Sequence, residues 1–316
     1  MNILCEVLGI RYPIFQGGMG NISNAVLTSA VSEAGGLGTI GAGTMAPGEL
    51  EQIILQTKEL TDKPFSVNIA IGVSPYVDEL VQLLIKHSVP VVSLSAGDPT
   101  LFVERFHQAG IKVITVVGSV RHAQKAEAAG TDVIVAEGYE AAGINSNYES
   151  TTLTLILQIV DKVTVPVVAA GGIGDGRGLA AMLVLGASGV QIGTRFIATK
   201  EAPFSENYKN RILSATDNDT VIVGRPVKRV RRVLKTPYAK KLLEFEESNQ
   251  YTLEEFNNMT SETYHKIGAV EGNLDAGFIN GGQIAGLIND IPTVKELVDR
   301  MIKEAKKATC IANNTF

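Results

Sequence analysis

The sequence predicts a (β/α)8 barrel, an α/β fold of the TIM-barrel type, carrying a helical insertion near its C-terminus. Short apolar runs rich in β-formers alternate with longer segments whose apolar residues recur at helical spacing. Eight such runs are present, with seven crossover helices visible between them. No dinucleotide fingerprint follows the first run, where the chain reads QGGMGN. An open doubly wound sheet of this size would normally show one, so a closed barrel is favoured.

In chain order the β-runs are residues 13–16, 38–40, 65–69, 91–94, 111–116, 132–135, 167–170 and 189–192. The stretches between them carry one apolar face, as in Tyr76, Val77, Leu80, Val81, Leu84 and Ile85, or in Leu101, Phe102, Phe106 and Ala109. Each face would cover a parallel strand pair. The connection after the sixth run is the longest, because it contains the loop EGYEAAGINSNYES from Glu137 to Ser150. Residues 205–278 break the rhythm and read as a helical lid. In its stretch GRPVKRVRRVLKTPYAKK, eight of eighteen residues are Lys or Arg, and an acidic half follows around Glu244, Glu246, Glu247, Glu254 and Glu255. The preferred reading of the basic stretch is an amphipathic helix with a solvated face, partnered by the acidic half; the other is a lid that meets an anionic partner. Residues 281–288 and 293–308 return to the barrel.

A chain of 316 residues with 45% hydrophobic content can bury one large core. Its formal net charge of -5 argues against a nucleic-acid partner, which selects for a basic surface. Cys5 and Cys310 lie far apart, have no metal-ligand spacing and form no disulfide framework. No secretory leader pattern and no long apolar run stand out. The expectation is a cytoplasmic protein that does not span a membrane.

In a barrel of this kind, ligand groups sit at the C-terminal ends of the strands. Here those ends are dense in glycine, which lets backbone approach a ligand and presents bare N–H groups to phosphate. AAGGIGDGRG follows the seventh run and QIGTRF completes the eighth, the two positions where many barrels hold a phosphate. Gly171, Gly172, Gly193 and Thr194 are therefore the expected phosphate cradle. Sugar phosphates, nucleotides and FMN all satisfy that reasoning.

Five stretches in order, YPIFQGGM, KPFSVN, EGYEAAG, AAGGIGDGRG and GASGVQIGTRF, with GGQIAGLI near the end, resemble the nitronate monooxygenase family, including its FMN-dependent enoyl-acyl-carrier-protein reductase branch. The resemblance implies FMN, with its phosphate on the seventh and eighth loops. It implies that Gly18 and Met19 pass the flavin through backbone contacts, that Asn68 bonds the pyrimidine edge of the ring, and that Gln191 supports the phosphate end. Glu137 either holds the ribityl hydroxyls or braces its loop, and Gly143 lets backbone come close. Asn68 could equally cap its strand, and Gln191 could make a buried core hydrogen bond. On this reading residues 1–204 and 279–316 form an FMN-binding barrel, and residues 205–278 a substrate lid.

One departure stands out. The family's sixth loop reads Glu-Gly-x-Glu-Ala-Gly-Gly-His, and that histidine moves the proton; this chain has Ile144 there. An isoleucine transfers no proton. Tyr148 and Glu149 are the replacement candidates, while His87, His107 and His122 read as surface residues away from the strand ends. His265, in the C-terminal part, could reach the mouth.

The leading function is therefore oxidation of a small nitronate-like substrate through flavin and oxygen. The alternative is an NAD(P)H-dependent enoyl reductase, whose partner would be an acyl-carrier-protein or coenzyme A thioester. A non-redox phosphate-binding barrel enzyme and a catalytically silent flavin-binding protein remain as further classes. No nucleic-acid or membrane partner is expected, and a homodimer is left open.

Overall fold

The computed structural model describes residues 2–248 and 252–315. Its strands are β1 (Ile14–Gln16), β2 (Gly38–Gly41), β3 (Phe65–Ala70), β4 (Val91–Ser95), β5 (Lys112–Val117), β6 (Val133–Glu137), β7 (Gly143–Ile144), β8 (Val167–Ala170), β9 (Gly189–Ile192), β10 (Thr220–Val223) and β11 (Arg231–Leu234). Eight of them make one parallel sheet in the order β1-β9-β8-β6-β5-β4-β3-β2. Bridging between Phe15 and Leu37 closes it, with the Leu37 N–H on Ile14 O and the Gln16 N–H on Leu37 O, both at 2.9 Å. These eight are the runs expected from the sequence, because strands buried on both faces read as continuous apolar segments.

The helix Ile3–Leu8 plugs the end where the strands begin. Asn2 donates to Ser188 O at 2.8 Å beside the start of β9, and Leu4, Leu8 and Ile10 pack with Phe15, Val133, Val135 and Val168. Seven outer helices follow strands in turn, and the long C-terminal helix Val294–Asn313 completes the ring. A capping box of Thr293 and Glu296 starts that helix. It packs so closely on the helix Gly176–Val184 that a Cβ at Gly176 would strike the Met301 carbonyl.

The inserted segment is mostly helical, with helices Glu206–Leu213, Pro237–Glu247, Leu253–Met259 and Glu262–Ala269. Its basic stretch, however, is a turn and the strand β11, and only its end enters a helix. Gly224 at φ 85 and Pro226 forbid a continuous helix there. Pairing with β10 on one side and β7 on the other fills the backbone bonds instead. Val223, Val233, Tyr238, Leu242, Phe256 and Phe278 form a separate small core, whereas Tyr208, Ile212, Leu234 and Ala269 join the core of the barrel's outer layer. The β7–β11 pairing matters for the site, because it ties the loop after β6 to the insertion. Among the described residues no helix is long and apolar enough to cross a membrane.

Candidate active site

A cavity of about 1300 Å³ opens at the C-terminal ends of the barrel strands. All twelve residues singled out from the sequence line it: Gly18, Met19, Asn68, Glu137, Gly143, Tyr148, Glu149, Gly171, Gly172, Gln191, Gly193 and Thr194. The strands bring them together from distant parts of the chain.

At one side lie the loops after β8 and β9. Gly171 and Gly172 both have left-handed backbone, φ 101 and 72. The N–H groups of Gly172 and Gly193 donate to no acceptor among the described residues, so bare donors face the cavity. Gly193 precedes the short helix Thr194–Ile197, and the Thr194 hydroxyl accepts the Gly282 N–H at 3.0 Å, anchoring the returning C-terminal segment. Gly171 is also crowded: a Cβ would sit 2.9 Å from Thr152 Oγ1 and 3.0 Å from Gly138 O. Thr152 is itself fixed, since its N–H and hydroxyl both donate to Glu140 Oε2 at 2.8 Å. Loop six and loop seven are therefore locked together through Glu140, Thr152 and Gly171.

Across the cavity Asn68 lies within β3, two residues before its end. Its Nδ2 donates to the carbonyl and hydroxyl of Ser93 and to the Ser95 hydroxyl, each at 3.2 Å. Such bonds fix the amide's direction. Gly18 lies against it, where a Cβ would come within 2.9 Å of Asn68 Cβ. The side-chain amide of Gln191 has no hydrogen-bond partner among the described residues, and the residue lines the cavity, so that amide is free for a ligand. Glu137 lies deep in the mouth without a hydrogen bond to its carboxyl, and burial raises that carboxyl to about 8. At neutral pH it is a neutral acid that can donate a proton in a hydrogen bond.

The sixth loop differs from the expectation for proton transfer. Glu149, one of the two candidate proton carriers, is ion-paired to Arg225 at 2.7 Å. The Arg225 hydrogen bond holds its carboxyl below the usual range, so at neutral pH it is an ionised rim carboxylate with no proton to give. Tyr148 is 62% exposed, and its ring neighbours His122, with centroids 6.1 Å apart. Among the described residues no hydrogen bond orients its hydroxyl, whereas a general acid must be positioned. The change Tyr148→Phe is accordingly expected to lower kcat by less than about tenfold, against the roughly 10²-fold loss that removing a positioned acid produces.

One histidine stands elsewhere than the sequence suggested, and His265 does reach the cavity. His122 opens the helix after β5 and lines the cavity rim rather than lying away from the strand ends. His265 is buried in the cavity wall, stacked on Phe278 at 5.1 Å, with Nδ1 at 3.4 Å from Glu262 Oε2 and Nε2 at 3.2 Å from Asn280 Nδ2. Arg231, Glu262 and Asn280 line the same wall, and sequence reasoning missed all three. The one available signal was VKRVRRV itself, whose Gly-Pro start and valines suit a strand better than a helix.

Closed parallel strands, glycine-rich loops after the seventh and eighth barrel strands and a deep cavity at the strand ends define a barrel of the kind that carries its active site at the C-terminal ends of its strands. The chain belongs to the nitronate monooxygenase family, whose model matches residues 1–80 and 70–304. It is 34% identical to a (3aS,4S,5R,7aS)-5-hydroxy-7a-methyl-1-oxo-octahydro-1H-indene-4-carboxyl-CoA dehydrogenase of Mycobacterium tuberculosis, covering 96% of this chain and 95% of the relative. A "Probable nitronate monooxygenase" of Staphylococcus saprophyticus is 32% identical over 95% of this chain and 96% of its own. Among solved structures, FabK from Thermotoga maritima superposes with a TM-score of 0.95 at 41% identity, covering 100% of this chain and 99% of that one. The protein is an oxidoreductase.

Proposed function

We propose that this protein is an FMN-dependent oxidoreductase acting on an acyl thioester, the second of the two branches resembled by the sequence. One observation carries the reading: the cavity joins a phosphate cradle to a cationic rim. Lys125, Arg225, Lys228 and Arg229 line the cavity, and Lys125, Lys228 and Arg229 form no ion pair among the described residues. A small nitronate needs no such rim. A thioester carrier with a phosphorylated arm matches both in size and charge. The similarity to a carboxyl-CoA dehydrogenase over nearly the whole chain supports the same substrate class.

The residues present fit FMN. Gly171, Gly172, Gly193 and Thr194 would hold its phosphate through backbone N–H groups, with the Gln191 amide beside them. Gly18 and Met19 offer backbone, and the pinned Asn68 amide offers its oxygen as a directed acceptor. Neutral Glu137 donates to a hydroxyl near the barrel axis without adding a buried charge. When bound, FMN supplies the transfer of electrons or hydride. The chain's own residues orient the thioester beneath the rim, exclude water and hold its carbonyl oxygen.

An anaerobic titration tests the substrate. NADH or NADPH is expected to bleach the bound flavin, and an α,β-unsaturated acyl thioester to restore its colour. Bleaching by an alkyl nitronate but by neither nicotinamide would instead establish the nitronate-oxidising reading. No response to any of these would overturn both.

A further inference from the structure

Position 144, where the resembled relatives carry an imidazole, has a specific neighbour. In the β7–β11 ladder Ile144 pairs directly with Arg231. Directly opposed residues of an antiparallel pair project to the same face with adjacent Cβ atoms, and both residues line the cavity. The guanidinium of Arg231 therefore stands beside the place where the imidazole is missing.

Its hydrogen bonding is far from complete. A guanidinium has five N–H donors. Among the described residues its side chain makes one hydrogen bond, from Nη1 to Asn280 Oδ1 at 3.4 Å, and Arg231 forms no ion pair among them. It rests over the Phe278 ring at 5.0 Å, which gives it a flat support rather than a counter-charge. The other enclosed arginines differ: Arg195 meets Asp290 at 2.8 Å, and Arg232, which donates to Tyr139 O and the Thr220 hydroxyl at 3.0 and 2.9 Å and leaves Nη2 unpaired, does not line the cavity. Arg225, at the rim, is taken by Glu149. Arg231 alone among these keeps its donors for the cavity.

The surroundings hold it in place without neutralising it by contact. Asn280 donates from Nδ2 to His265 Nε2, so its Oδ1 is turned to Arg231. Its carbonyl accepts the buried Tyr208 hydroxyl, which fixes the segment. His265 Nδ1 then faces the Glu262 carboxylate, which also accepts the Asn21 N–H at 3.4 Å. Glu262 acts on Arg231 only through space.

We propose that Arg231 is a catalytic residue that binds the substrate's oxyanion, the carbonyl oxygen of a thioester as negative charge collects there or the oxygens of a nitronate. Two N–H groups meet the oxygen, the charge is balanced by the guanidinium, and no proton moves to or from position 144; where the substrate is an unsaturated thioester, the proton its α-carbon takes up comes from solvent. This replaces acid–base assistance by electrostatic stabilisation, whose loss through a single donor costs about 10²- to 10³-fold in kcat. The proposal rests on the cavity being the substrate chamber, but its test uses only small oxyanions.

Calorimetric titration of the purified flavoprotein with nitrate and with propionate reads the site directly, since both are planar oxyanions that a guanidinium binds through paired hydrogen bonds. Wild type is expected to bind them, and Arg231→Gln to bind at least about tenfold more weakly, the effect of one charged hydrogen bond. Ile144→Glu gives a second, fold-sparing route, because Ile144 is 49% exposed. Its carboxylate would occupy Arg231 from across the ladder and weaken both probes by the same factor. Arg177→Gln, a surface arginine paired with Asp175, is the control and should leave affinity unchanged. Undiminished binding in Arg231→Gln or in Ile144→Glu, or no binding by wild type, would overturn the assignment. A failure of the thioester reading would show instead in the anaerobic titration, with oxyanion binding retained.

Discussion

Gly171→Ala is expected to abolish FMN retention while leaving a folded barrel. The position combines two demands that only glycine meets. Its φ of 101 lies where a side chain costs on the order of 1–3 kcal/mol. A Cβ there would also press on Thr152 Oγ1 and Gly138 O, at 2.9 and 3.0 Å. Thr152 cannot easily give way, because its hydroxyl holds Glu140 at 2.8 Å and also contacts the Gly171 carbonyl at 3.1 Å. The strain is thus relieved by turning the peptide that presents the Gly172 N–H to the cavity. We expect FMN affinity to fall by about 10²-fold or more, the equivalent of roughly 3 kcal/mol. Thermal melting of the flavin-free variant should show a cooperative transition, lowered by the strain alone. Unchanged FMN affinity would remove the loop after β8 from the phosphate site.

Glu137→Gln should change how stability depends on pH. The carboxyl stands at about 8 in the folded protein, against an ordinary value of 4.5, because burial disfavours its charged form. Between those values the folded chain keeps a proton that the unfolded chain has lost. Stability contributed by this group is therefore whole below pH 4.5, declines as pH rises, and is gone above about 8. Glutamine has the same shape and no proton to lose. Relative to wild type, the variant should gain on the order of 3 kcal/mol between pH 4.5 and 9. Urea denaturation of flavin-free protein across that range measures the difference. Parallel curves for the two proteins would mean that Glu137 is ionised in the fold.

Much of this architecture is visible in the amino-acid order for a physical reason. Strands buried on both faces must be continuously apolar, so all eight barrel strands announce themselves, and their ends can be read off. Gly171 and Gly172 of the seventh loop are legible too, because their left-handed backbone leaves little choice of residue. The hairpin of β10 and β11 is not, since Arg231 and Arg232 mask its valines and suggest a solvated helix. Nor is the pairing of Ile144 with Arg231, which depends on register between segments far apart in sequence. Glu149 and Tyr148 were attractive as proton carriers because of their type and position. What decides against them is an ion pair with Arg225 and an exposed, unanchored hydroxyl, features that only the folded chain displays.

The central claim is that the loops after β8 and β9 cradle FMN in the barrel mouth. Equilibrium titration of flavin-free protein with FMN, followed by quenching of flavin fluorescence, tests it most directly. The account predicts saturation at one FMN per chain in wild type, with competition by inorganic phosphate and loss of uptake in Gly171→Ala. A wild-type protein that takes up no FMN, or a Gly171→Ala variant that takes it up as well as wild type, would contradict it.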